Sequence, residues 1–159
     1  MKLSRLRALL VLGTAGLGVP VGIAVATPGS GIVAAPVIAR ATVDADNFKL
    51  KLRASSNPAD AAIQQVTIAP GGVTGWHTHP GPAVVLVKSG EFTLYQADDP
   101  SCTGRTYGAG ESFVDAGYGN VHIGRNEGTS SLELWVTYLD VPVGGAFRID
   151  APAPENCPF

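Results

Sequence analysis

Charge is scarce in this 159-residue chain: Asp, Glu, Lys and Arg make up only 15%, and the 11 basic residues nearly balance the 13 acidic ones. The chain holds no cluster of Lys and Arg of the kind that phosphate backbones require, so nucleic acid is excluded as a partner. Cysteine is rarer still. With two residues, Cys102 and Cys157, there is no CxxC pair, and the spacing is unlike a zinc site. Histidine occurs only three times, at 77, 79 and 122. By contrast, 20 Gly and 12 Pro punctuate the chain, about one residue in five, and both penalise helix interiors. A helical bundle or coiled coil is therefore excluded, and the 45% hydrophobic content excludes general disorder. The length suits one domain.

The N-terminus differs from the rest. Lys2, Arg5 and Arg7 precede an uncharged stretch, residues 8–26, that closes on Ala24-Val25-Ala26. This is the layout of a secretory signal peptide cleaved after Ala26. The rival is a membrane anchor over 8–26, because the uncharged run continues to Ala39 and about 20 apolar residues can span a bilayer. Five glycines (13, 16, 18, 22 and 29) and Pro20 weaken that rival. No cysteine near the site indicates a lipoprotein anchor. Without Lys2, Arg5 and Arg7, residues 27–159 keep 8 basic and 13 acidic side chains, a net charge of -5. The expectation is a secreted or extracytoplasmic domain with no membrane contact after cleavage. Two cysteines suit that oxidising compartment. Joined, they would tie the C-terminal tail to the loop at Asp98-Asp99-Pro100-Ser101; the alternative is two free thiols.

Residues 27–42 (TPGSGIVAAPVIARAT) are rich in Pro, Gly and Ala and read as a linker. Beyond them, short stretches alternate between apolar and polar residues and are bounded by turn residues. Strands are expected at 48–53 (FKLKLR), 63–69, 83–87, 91–96, 105–107, 111–115, 121–125, 132–141 and 147–149, with a short piece at 75–79. A hairpin turns around Lys88-Ser89-Gly90. Nine or ten short strands without a helix suit an all-β sandwich or barrel spanning 43–151, followed by a tail at 152–159.

His77 and His79 stand two residues apart, so on a strand both rings project from one face. His122, between Val121 and Ile123, would face opposite to those aliphatics. A lone strand histidine is usually an ordinary core or surface residue. A His-x-His pair joined by a third ring can instead share one cation. The context of these residues is specific. Gly71-x5-His77-x-His79, with Gly90 eleven residues on, resembles the first motif of the cupin family. Gly110 followed by Gly117-Tyr118-Gly119-x2-His122-x3-Asn126 resembles the second.

The resemblance covers about residues 43–150 and uses every histidine in the chain. It implies a single cupin jelly-roll, a double-stranded β-helix barrel, with one divalent transition metal (Mn, Fe, Cu, Zn or Ni) held inside by His77, His79 and His122. It implies a small-molecule ligand or substrate, and a possible homodimer. Two departures stand out. Ala116 or Gly117 occupies the place of the family's Pro, and Ala83 and Val84 occupy the place of a Glu ligand. The implied site is then one negative charge poorer and binds a divalent ion less tightly. Glu91 lies too far along its hairpin to substitute, whereas Gln65 or Glu133 could reach inward. Trp76 has the wrong strand parity for the metal face. Asn126 reads as a hydrogen-bonding turn residue, and Tyr95, Tyr118 and Tyr138 as packing residues able to orient a substrate. No catalytic acid or base is visible. Two functions follow from the resemblance, a metal-dependent dioxygenase acting on a small molecule and a non-catalytic metal- or small-molecule-binding barrel.

Overall fold

The computed structural model describes residues 42–43 and 58–158. The expected strand at 48–53, the segment 1–26 and nearly all of the linker lie outside the described residues. Within them the chain is all β, with no helix. It follows that no described helix is long and apolar enough to cross a membrane. Ten strands form: β1 (Thr42–Val43), β2 (Ala59–Ile68), β3 (His77–Thr78), β4 (Ala83–Ser89), β5 (Glu91–Gln96), β6 (Arg105–Gly108), β7 (Glu111–Asp115), β8 (His122–Arg125), β9 (Leu132–Pro142) and β10 (Ile149–Asp150).

They make two five-stranded sheets, ordered β1-β7-β4-β9-β2 and β10-β3-β8-β5-β6. All pairs are antiparallel except the two-residue β1–β7 pair. Alternation decides which side chains face inward. In β4, Ala83, Val85 and Val87 are buried; in β9, Leu132, Leu134, Val136 and Tyr138 are. These meet Phe92, Leu94 and Tyr107 of the opposite sheet in one core, where Tyr107 and Phe113 stack at 4.5 Å between ring centroids. Burying a side chain of this size contributes roughly 1.5–3 kcal/mol.

The second sheet is also covered on its outer side. Trp76, Ile123 and Cys157 form a separate buried cluster with Tyr95, Ala97, Cys102 and Val121. Cys102 and Cys157 are joined in a disulfide across 55 residues, which fastens the C-terminal tail over this face. Of the two alternatives open in the sequence, the bridged one is present. Trp76 therefore packs on the side opposite the histidines, as its strand parity requires.

Two turns hold the strands that carry the site. Gly90, at φ +80°, joins β4 to β5 alone, and a side chain there would press on the Leu132 backbone. Gly117, at φ +63°, lies so close to the Gly81 carbonyl that no Cβ fits between them. That contact brings the turn after His79 against the turn before His122. It also accounts for glycine rather than proline at 117, since proline is locked near φ -65°. Asn126, 1% exposed, donates from Nδ2 to the carbonyls of Ile68 (2.8 Å) and Ser130 (2.9 Å) and accepts from the Gly128 N–H (3.1 Å). It joins two loops, the hydrogen-bonding role expected of it.

The last strand sits two residues later than the alternation suggests, at Ile149–Asp150 instead of 147–149. Phe147 is diverted: its ring stacks on Tyr138 at 4.5 Å, and its carbonyl is taken by a histidine ring.

Candidate metal centre

β3 and β8 are paired with His77 directly opposite His122, so their side chains leave the sheet on the same face. His79 follows two residues after His77 and points the same way. The three rings converge, with centroids 4.4 Å (His77–His122), 4.9 Å (His77–His79) and 5.3 Å (His79–His122) apart. One nitrogen from each lies within 4.8 Å of the others, and no ring is more than 6% exposed.

The backbone fixes which nitrogens these are. Each Nδ1 faces a carbonyl oxygen: Gly75 for His77 (2.8 Å), Phe147 for His79 (2.6 Å) and Asn120 for His122 (3.2 Å). A carbonyl can only accept, so each Nδ1 carries the proton and each Nε2 keeps its lone pair. Orientation of a ligand ring through its other nitrogen is the usual support of a metal-binding histidine.

Burial is the largest influence on all three rings. It lowers His77 to about 3, aided by charge repulsion from His122, Arg148 and His79. It lowers His122 to about 4, aided by His79. His79 is lowered as well, against the opposing effects of the Phe147 carbonyl and the Asp115 carboxylate. All three are therefore neutral at pH 7 and available as ligands. Below pH 6.5 the unfolded chain takes up protons that the folded chain resists. This stability is complete above pH 6.5 and is lost as pH falls toward 3–4. Asp115, whose pKa burial raises, acts in the opposite sense, but as one group against three. The melting temperature of metal-free protein should thus fall between pH 7 and pH 4; a flat or rising profile would contradict this assignment.

Asp115 was not foreseen. It is 2% exposed and lines the same cavity as the histidines. Its Oδ1 lies 3.4 Å from His122 Nδ1, and its Oδ2 lies 4.0 Å from His79 Nε2. The strand pattern held the signal: Phe113 faces the core, so the residue two further on must face inward too. Asp115 thus places a carboxyl group on the cavity wall, outside the converging histidine cluster. Neither Gln65 nor Glu133 reaches the cavity. Both are on the solvent side, where the Gln65 amide donates to Glu133, which also pairs with Lys88 at 2.8 Å.

The cavity measures about 50 Å³, and its walls are mostly apolar: Val85, Phe92, Phe113, Leu134 and Val136. Tyr138 lies against His79 (5.1 Å between centroids) and donates its hydroxyl to Gln64 Oε1 at 3.0 Å. Burial pushes its phenol up to about 12, so it stays protonated. Tyr118 is turned away and donates to Asp140 Oδ2 at 2.7 Å, and Tyr95 donates to Glu127 at 2.9 Å. Of the three tyrosines, Tyr138 alone lines the cavity.

Two β-sheets closed around a buried triad of neutral histidines define a β-barrel with a candidate metal site in its interior. The family model for the cupin domain matches residues 64–141, and the chain belongs to the cupin superfamily. No curated protein matches the sequence significantly. Among similar solved structures is an uncharacterized conserved protein with a double-stranded β-helix domain from Klebsiella pneumoniae. It is 22% identical, with a TM-score of 0.47, and the match covers 58% of this chain and 76% of that one. A cupin superfamily protein from Desulfitobacterium hafniense is 15% identical over 50% of this chain and 66% of that one, with a TM-score of 0.43. An oxalate oxidase is 24% identical, with a TM-score of 0.48, over 62% of this chain and 51% of that one. The matched region is thus less than two thirds of the length of the latter two proteins.

Proposed function

We propose that this chain is an exported metal-binding cupin that holds one divalent transition ion through Nε2 of His77, His79 and His122 and exposes it to a small molecule in the barrel interior. One observation carries this reading: all three Nδ1 atoms face backbone carbonyls, which leaves the Nε2 lone pairs free, and one nitrogen of each ring lies within 4.8 Å of the others. Export rests on the basic start, the apolar run ending at Ala26, and the Cys102–Cys157 bridge, which persists in oxidising compartments.

An ion bound there would polarise a ligand oxygen or bring dioxygen and substrate together. The chain's own residues do the rest. The apolar wall limits water, and the neutral imidazoles themselves add no positive charge beside the ion. The Tyr138 phenol, protonated at any physiological pH, can donate a hydrogen bond to a ligand in exchange for Gln64. A cavity of about 50 Å³ admits a ligand of a few non-hydrogen atoms, or a few waters. Flavonol-sized substrates would require the wall to open. We read the activity as oxidation of a small molecule by dioxygen at the metal. A non-catalytic binding role is favoured by one feature: among the described residues, the cavity presents, apart from the histidines, Asp115 and Tyr138 alone as groups able to move a proton.

Oxygen uptake separates the two readings. Metal-loaded protein should consume dioxygen with a member of a panel of small thiols and diketones, and metal-free protein should not. Full metal occupancy with silence across the panel would leave the binding role.

A further inference from the structure

The described residues carry four basic side chains, and three of them are engaged away from the cavity. Lys88 pairs with Glu133 at 2.8 Å, Arg125 with Glu127 at 3.4 Å, and Arg105 lies over the Tyr107 ring at 5.1 Å. The fourth, Arg148, follows the residue whose carbonyl orients His79. Its Nε donates to Asp150 Oδ1 at 2.8 Å. Asp150 is paired with His77, so its side chain leaves the sheet on the histidine side and draws the guanidinium there. A Cβ at position 75 would stand 3.3 Å from Arg148 Nη2. Glycine at 75 thus lets the guanidinium lie against the turn whose carbonyl orients His77.

A permanent cation therefore stands at the rim of a cavity whose walls are mostly apolar. Burial is the main influence on the Tyr138 phenol, and the Arg148 charge acts on it as well, from across the cavity. As an exposed ion pair, Arg148–Asp150 adds little to stability. The Asp150 bond takes Nε and leaves the two Nη groups, a planar edge that matches a carboxylate bidentately. The Arg148 side chain is 36% exposed, so a ligand arriving from solvent can reach it.

We infer that Arg148 is the specificity residue of this site: it selects small monocarboxylic acids by pairing its Nη edge with their carboxylate at the rim. The uncharged remainder of the ligand then lies along the apolar wall toward the histidines, within a cavity of about 50 Å³. The inference rests on the metal-binding reading above for what the ligand meets at its inner end. A dianion such as phosphate is disfavoured, because the Asp150 carboxylate stands on the same guanidinium.

The test compares propionate with propionamide, which match in shape and differ in charge, on the purified protein with and without Zn(II). Side-chain Nε–H resonances are followed by NMR, with Arg105 and Arg125 as internal references. Propionate should shift the Arg148 resonance saturably, and propionamide should not. In Arg148→Gln, checked for folding by cooperative melting, propionate affinity read from the backbone amides of residues 75–79 should fall ~10-fold or more, to that of propionamide. An Arg148 response no larger than those of Arg105 and Arg125 would overturn the inference, even if the variant does not fold. So would an undiminished preference for propionate in Zn(II)-loaded Arg148→Gln, since that preference would then belong to the metal. A wild type that binds no Zn(II) but shows the saturable Arg148 shift would overturn the metal reading and support the role of Arg148.

Discussion

Replacing His122 with alanine should abolish stable metal binding. His122 supplies one of three converging nitrogens, and its ring sits 4.4 Å from His77 across the β3–β8 pair. Losing an outer hydrogen bond to a metal ligand typically weakens binding 10- to 100-fold, so losing the ligand itself should exceed ~100-fold. The consequence reaches stability as well. A ligand at 100 times its Kd stabilises the folded state by about 2.7 kcal/mol, so the wild type should melt higher with metal than without. His122→Ala should show no such increment. Metal content after dialysis and the melting temperature with and without metal check both halves. A variant that keeps wild-type occupancy would remove His122 from the site.

The second large effect belongs to the disulfide. Closing a 55-residue separation contributes about 4 kcal/mol by chain entropy. Its position adds a functional consequence. Cys157 is fully buried against Trp76 and Ile123, the residues next to His77 and His122 in sequence. Just before it, the Ala151 N–H donates to the Trp76 carbonyl at 3.0 Å, and β10 pairs with β3 through Asp150↔His77. The tail is therefore the outer neighbour of β3, which carries His77 and runs directly into His79. A Cys102→Ser/Cys157→Ser double variant should unfold at markedly lower urea, with a loss near 4 kcal/mol. It should also bind metal less tightly, because β3 and the Phe147 carbonyl that orients His79 lose their anchorage. Equal urea midpoints for oxidised wild type and the double variant would contradict this account.

The histidine triad was legible because its determinants are local. The i, i+2 spacing of His77 and His79 fixes a common face, and the alternation around His122 fixes the face of the third ring. The same logic placed Trp76 on the opposite side. What escaped depended on register, which alternation does not supply. Asp115 could be read as inward from Phe113, but its proximity to His79 follows only from the pairing of β7 with β4. Gln65 and Glu133 were candidates for the interior because either face of a strand is possible before its partners are known. Once β2 pairs with β9, with Thr67 opposite Glu133, both fall on the solvent side. The final strand was misplaced because Phe147 is claimed by tertiary contacts, a ring stack on Tyr138 and a carbonyl bond to His79, that no local pattern encodes.

The central claim is that three neutral, backbone-oriented histidines hold a metal ion in the barrel interior. Its most direct test is the metal content of the purified protein by elemental mass spectrometry, after loading with Mn, Fe, Cu, Zn or Ni and removal of unbound ion. The account predicts one ion per chain for wild type and essentially none for His77→Ala. Absence of stoichiometric metal under every loading condition, or undiminished metal in His77→Ala, would contradict it.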